Sequence, residues 1–230
     1  MDYLKERDLL EDRRRHLDDT LNPRIALRNT AYDDQGKFPC DADTRVDILA
    51  DITNWVDDVS RKSQNFFWMT GDPGCGKSAI AASLARYCKD EGVLWAQFFI
   101  NRNNETTTKP KVYFPSIAHQ MAKHSSGSTV SKAIYDILQA KPSLLDEISN
   151  DQALELFVQV VQVACDVRKT RPVVIVIDGL DETTRDSLED TATIISRSCS
   201  VQTRRCSFQA GRTMKSQSHS SVPYSPITSM

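Results

Sequence analysis

The sequence predicts an α/β protein in which a parallel β-sheet is flanked by helices. Two observations support this fold class. Short apolar runs typical of buried strands alternate with longer segments whose apolar residues recur at helical spacing. In addition, residues 173–177 are five consecutive β-branched residues, the pattern of a central parallel strand covered on both faces. Strands and helices that alternate in this way favour parallel pairing through helical crossovers.

The predicted elements follow from apolar periodicity and from residues that break or cap helices. Residues 2–20 suit a charged helix, and 22–44 are rich in turn-forming residues. Thr44 is the expected N-cap of a helix over 45–60, and Asp47 stands at the capping-box position. The other elements are strands at 66–70, 93–100 and 173–177 and helices at 77–91, 114–124, 130–140 and 151–167.

Composition excludes several classes of protein. The 230 residues carry a formal net charge of -2, so the whole-chain charge predicts neither a nucleic-acid nor a membrane partner. No run approaches the roughly 20 apolar residues of a membrane span, and the charged first 21 residues do not resemble a signal peptide. The six cysteines lack CxxC spacing, which argues against a zinc site or a disulfide framework. We expect a reduced, cytoplasmic protein.

The charge pattern divides the chain into three parts. Residues 199–230 contain four basic residues, eight serines and no acid, and they show no apolar periodicity. We therefore predict a charged helix and linker at 1–37, an incomplete α/β domain at 38–198, and a basic Ser-rich tail at 199–230. The tail is expected to be disordered or read out of frame, so that the sheet is truncated after strand 173–177.

A phosphate-binding pattern follows the first predicted strand. Residues 71–78 match G-x-x-x-x-G-K-[ST] between a strand and a helix, which is the context that this motif requires. Its glycines let backbone N–H groups face a phosphate, and the helix N-terminus adds partial positive charge. Lys77 would reach the β- and γ-phosphates, and the Ser78 hydroxyl would bind Mg2+. The predicted nucleotide-binding residues are Gly71, Asp72, Pro73, Gly74, Cys75, Gly76, Lys77, Ser78 and Ala79.

Acidic residues follow the strand at 173–177. Because ligands of parallel α/β sheets bind at the carboxyl ends of strands, Asp178 is placed to hold Mg2+ together with Ser78. Asp181 or Glu182 could orient and deprotonate an attacking water. Together the two motifs predict binding of ATP or GTP with Mg2+. Residues 178–182 could instead be an acidic surface turn without a function. This interpretation is less favoured because the phosphate-binding pattern precedes it in the chain.

At these residues the chain resembles NACHT-type P-loop NTPases of the STAND class, and more narrowly the nephrocystin-3-like N-terminal domain of fungal signalling proteins. The similarity covers about residues 38–190, and Asp43 departs from it where the family has glycine. The segments that resemble the family are 40–45, 68–71, 98–99, 115–122 and 177–182.

The resemblance implies ATP-dependent switching and homotypic or heterotypic association between NACHT domains. It makes Asp178 the Mg2+ residue of the Walker B motif and Asp181 the leading catalytic acid, with Glu182 beside it. The family continues with a strand ending in Ser-Arg and a helical lid. The sequence shows neither of these features. We therefore expect the chain to bind nucleotide but do not predict that it hydrolyses it.

Two other functions fit the same motifs. One is a non-enzymatic, truncated interaction module, and the other is a P-loop kinase acting on a small molecule. A kinase would need an arginine-bearing lid, whereas acids after the strand favour hydrolysis. His119 and His124 are spaced poorly for a shared metal, and we expect them on a polar helix surface.

Overall fold

The fold, seen in a computed structural model, is a mixed α/β architecture that is mostly helical and contains a small parallel sheet. The predicted fold class is confirmed at this level. The structure describes residues 2–21, 31–58, 66–125, 129–141, 149–167, 172–183 and 206–209. Among these residues, no helix combines the length and the apolar character needed to cross a membrane.

Six helices and four strands make up the described chain. The helices are α1 (Asp2–Leu21), α2 (Val46–Asp57), α3 (Lys77–Asp90), α4 (Pro110–His124), α5 (Thr129–Ala140) and α6 (Asn150–Val167). The strands are β1 (Phe66–Met69), β2 (Leu94–Phe99), β3 (Val174–Asp178) and β4 (Cys206–Gln209), and a 3-10 turn, Leu180–Glu182, follows β3.

The sheet has the strand order β1-β4-β3-β2, and every neighbouring pair is parallel. Strand β4 lies between β1 and β3, where Phe66 pairs with Cys206 and Val176 pairs with Ser207. The prediction that the sheet is truncated after β3 was therefore wrong, because residues 206–209 of the predicted tail form a strand of this sheet. Backbone pairing on both sides favours a strand here even though the sequence lacks apolar periodicity. The rest of the tail, 199–205 and 210–230, lies outside the described residues.

Two apolar clusters cover opposite faces of the sheet. Ile175 and Ile177 of β3 belong to the cluster built with α1, α4, α5 and α6. Val174 and Val176 belong to the other cluster, built with α2 and α3. Because side chains alternate along a strand, the five β-branched residues serve both faces, which explains why this run carries no polar position.

Two helices begin at residues that the sequence did not indicate. Helix α2 begins at Val46 with Arg45 as its N-cap, and the hydroxyl of the predicted cap, Thr44, donates to the Asp41 carbonyl instead. Arg45 has a left-handed backbone, with φ of 56°. Helix α4 begins at Pro110, where a missing N–H is tolerated, and it continues through Pro115.

Helix α1 packs against α4 and α5 through a narrow apolar stripe that ends in buried Leu17 and Leu21. Asp18 of α1 also forms a hydrogen bond with the His119 ring, with Oδ1 and Nε2 2.7 Å apart. His119 is 8% exposed, so its predicted place on a polar helix surface was wrong. Because an acid on α1 lies against it, the imidazole can be buried with its polar atom satisfied.

The buried end of α1 predicts a stability effect. Replacing Leu21, which is fully buried, with alanine should lower the free energy of unfolding by about 2–5 kcal/mol, since it removes methyl groups from a packed cluster. The matched control is Leu9→Ala on the same helix, where 59% of the residue is exposed and the change should stay within about 0.5 kcal/mol. Urea unfolding of both variants measures this, and equal effects would contradict the docking of α1.

Candidate functional site

A glycine-rich loop connects the end of β1 to the start of α3. Gly74 and Gly76 have φ of 82° and 92°, in the left-handed region that residues with a Cβ rarely adopt. Gly76 is also the N-cap of α3, whose first residues are Lys77 and Ser78. The predicted pattern of residues 71–78 therefore lies between a strand and a helix N-terminus, as expected. Asp72 and Pro73 are exposed on its outer side.

The Lys77 side chain folds back across this loop. Its Nζ donates to the Gly71 carbonyl at 2.8 Å and to the Asp72 carbonyl at 2.9 Å. The Cys75 sulfur lies 3.9 Å from the same nitrogen. These contacts hold a full positive charge at the loop, beside the partial positive charge of the α3 N-terminus. The region can thus attract an anion.

The Ser78 hydroxyl lies near the carboxyl of Asp178, the last residue of β3, and stabilises its ionised form. Asp178 is 2% exposed. The pKa of its carboxyl is raised from 3.8 to about 6, mainly because the group is buried and to a smaller extent because the carboxylates of Glu182 and Asp181 are near. The Ser78 hydroxyl and the positive charge of Lys37 oppose this rise in pKa. The sequence had paired Ser78 with Asp178, and the structure brings them together.

Gly179 lets the chain turn directly after the buried carboxylate. Its φ is 78°, and a Cβ at this position would lie 3.0 Å from the Ile100 carbonyl oxygen. The backbone after β2 therefore approaches the end of β3 closely, and the Ile100 N–H donates to the Asp178 carbonyl at 2.9 Å. Only glycine satisfies both the conformation and the space.

The two predicted catalytic acids have different surroundings on the 3-10 turn. Asp181 is exposed. Glu182 is partly buried, and its Oε2 accepts a hydrogen bond of 2.7 Å from the Arg102 N–H. The Arg102 side chain also approaches the other carboxylate oxygen, at 3.8 Å. Of the two acids, Asp181 is therefore the one whose side chain faces solvent.

A cavity of about 450 Å³ lies beside the loop and is closed on one side by the segment that precedes α2. The residues that line it are Gly36, Lys37, Phe38, Pro39, Cys40, Asp41, Thr44, Arg45, Gly76, Ser78 and Ala79. Arg45 Nη2 donates to the Cys75 carbonyl at 2.9 Å and so fixes this segment to the loop. Phe38 is 75% exposed, an unusual position for a large aromatic side chain.

The oxygen atoms of Ser78 and Asp178 fit Mg2+. This ion prefers oxygen ligands and keeps several waters, so one carboxylate and one hydroxyl suffice when phosphate supplies the rest. Within the described ranges, no group of three or more His, Cys, Asp or Glu side chains could hold a metal ion. The donor set therefore suits a cation shared with a phosphate rather than a self-contained metal site.

Two side chains near this site were not predicted as functional, Lys37 and Phe38. No local signal could have revealed them, since both precede the loop by more than thirty residues and lie in a segment that reads as a linker. Only the folding of the 31–45 segment over the end of the sheet brings the cation Lys37 close to Asp178.

The fold and this site define an α/β protein with a glycine-rich loop and a buried acid at the carboxyl ends of parallel strands. The family model described as "Nephrocystin 3, N-terminal" matches residues 45–210. Because this is more than half of the chain, the chain belongs to that family. The match extends through β4, beyond the stretch ending near 190 in which the sequence resemblance was expected. Comparison with curated proteins finds no match, and comparison with solved structures finds none either.

The raised pKa of Asp178 predicts a pH-dependent stability. The folded protein holds this proton more tightly than the unfolded chain does, so the contribution to stability is complete below pH 3.8 and is lost as pH rises through about 6. With metal removed by EDTA, Asp178→Asn should therefore be more stable than wild type at pH 8, by about 1–3 kcal/mol. This advantage should shrink toward pH 4.

Urea unfolding across pH 4–8 measures this difference. The control is Asp51→Asn on α2, an exposed position where the free energy of unfolding should change by no more than about 0.5 kcal/mol. If the Asp178→Asn variant is no more stable than wild type at pH 8, burial of the ionised carboxylate does not lower the free energy of unfolding.

Proposed function

We propose that this chain is the nucleotide- and Mg2+-binding module of a signalling NTPase of the NACHT and STAND type, with a P-loop and a Walker B acid. The observation that carries this proposal is the proximity of the Ser78 hydroxyl, in the first turn after the glycine-rich loop, to the buried carboxyl of Asp178. A hydroxyl and a carboxylate in this relation can share one Mg2+ ion.

The phosphate groups would be held by the loop and by the N-terminus of α3. Backbone N–H groups at Gly74, Gly76 and the start of α3 are available to anions at a helix end, where the dipole favours negative charge. The Lys77 ammonium already lies at this loop, and phosphate oxygens are stronger acceptors for it than the two carbonyls. The Mg2+ ion would neutralise further phosphate charge.

The sugar and base would extend into the 450 Å³ cavity beside Gly76 and Ala79. Its volume is in the range of small-molecule sites, about 300–1,000 Å³. Exposed Phe38 at its edge offers an aromatic face on which a purine can stack, and stacking tolerates either adenine or guanine. The proposal therefore names ATP first and GTP as the competing ligand to be measured.

Turnover is a separate proposal from binding. Asp181 is the acid proposed to orient an attacking water, because it is exposed whereas Glu182 is engaged by Arg102. The engagement of Glu182 also favours a second candidate, a module that binds nucleotide and associates with other NACHT domains without hydrolysing it. Phosphate release from purified protein distinguishes these two functions.

The first test is removal of the Lys77 charge. Lys77→Ala should weaken binding of MgATP by about 10- to 100-fold, because it removes a charge-assisted contact to phosphate. Isothermal titration with MgATP and MgGTP measures the affinity and decides between the two nucleotides. Lys89→Ala in the last turn of the same helix is the control and should bind as wild type does. Unchanged affinity of a folded Lys77→Ala protein would overturn the proposed site.

The second test separates the two acids. Asp178→Asn should remove the Mg2+ dependence of nucleotide affinity, since it replaces the proposed metal ligand. Asp181→Asn should bind MgATP like wild type but lose any phosphate release, because this acid acts only on water. Titrations with Mg2+ and with EDTA, together with a phosphate assay, measure both. The same defect in both variants would refute the division of roles.

A further inference from the structure

A second cavity, of about 480 Å³, lies between α1 on one side and α4 and α5 on the other. We refer to it as the α1 cavity. It shares no lining residue with the cavity beside the glycine-rich loop. Leu10, Leu17 and Ala122 give it an apolar surface. Its volume is in the range of sites that bind small organic molecules.

The charged side chains around the α1 cavity are mainly cationic. The cations are Arg7, Arg13, Arg14 and Lys123, and the acids are Glu11 and Asp18. Arg7, Arg14 and Lys123 are exposed, so they lie where the cavity meets solvent. Arg7 is near Asp8, but this exposed pair is separated by 3.7 Å and contributes little. The cavity thus combines an apolar interior with a positive edge.

Two observations concern the hydrogen-bond partners of the charged groups at this cavity. The Nε atom of Arg13 is buried and has no hydrogen-bond partner among the described residues. The Asp18 carboxylate, one of the two acids that line the cavity, is engaged by the His119 ring. A buried donor without an acceptor is costly, and an anionic oxygen entering the cavity could satisfy it.

We propose that the α1 cavity binds a small amphiphilic carboxylate, that is, a carboxylate group attached to a medium-length apolar chain. The carboxylate would lie among Arg13, Arg14 and Lys123, and the chain would cover Leu10 and Leu17. An organic cation is disfavoured by the positive edge, and a purely polar anion would leave the apolar surface uncovered. Such a ligand would join α1 to α4 and so hold α1 on the body of the protein.

Decanoate, kept below its micelle concentration, is the probe. Titration calorimetry with the full chain should show one saturable site for decanoate, weaker binding of decanol and no binding of decyltrimethylammonium or acetate. Arg13→Met and the double variant Arg14→Gln, Lys123→Gln should each weaken decanoate binding about tenfold or more. Arg15→Gln is the matched control, because Arg15 is exposed on the same helix and does not line the cavity.

Hydrogen exchange supplies a second readout. Decanoate should slow exchange of the α1 amides in wild type and in Arg15→Gln, but not in Arg13→Met. Equal binding of all decyl compounds would indicate unspecific partitioning and overturn the proposal. Binding of acetate as tight as that of decanoate would overturn it too, and so would an unchanged affinity in both cavity variants. MgATP binding is measured separately. A failure of the proposed decanoate site can therefore be distinguished from a failure of the proposed nucleotide site.

Discussion

A carboxylate buried at the end of the central strand must be compensated by groups that the chain brings from elsewhere, and this constraint shapes the whole region around Asp178. Ser78 arrives from the first turn of α3, and Lys37 from the segment before α2. Gly179 makes room for the backbone after β2. Because three separate segments meet at one acid, the glycine-rich loop, the turn that carries Asp181 and the cavity beside Ala79 have defined positions relative to one another.

The sheet provides the rigid support for this arrangement. Its strands are all parallel, so their carboxyl ends meet at one edge, and β3 is buried by apolar clusters on both faces. Strand β4 joins β1 to β3 and thereby connects the loop after β1 to the acid after β3. The candidate site therefore depends on pairing between segments that are far apart in the chain.

Helix α1 is attached to this body by different interactions. A thin apolar stripe and the Asp18–His119 hydrogen bond hold it on α4 and α5, and the cavity beside it leaves part of the interface open. The candidate nucleotide site and α1 thus lie on separate parts of the fold. A ligand bound in the α1 cavity could therefore strengthen the packing of α1 without contacting the glycine-rich loop.

The sequence by itself determined the local features of this protein. The alternating apolar runs predicted the helices and the first three strands, and the spacing of residues 71–78 and 178–182 predicted the loop, Ser78 and Asp178, because each motif depends on neighbours along the chain. Strand β4, the cap at Arg45, the burial of His119 and the place of Lys37 were decided only by tertiary structure. In each case the partner lies on a distant segment, so pairing and burial, which no local pattern records, select the outcome.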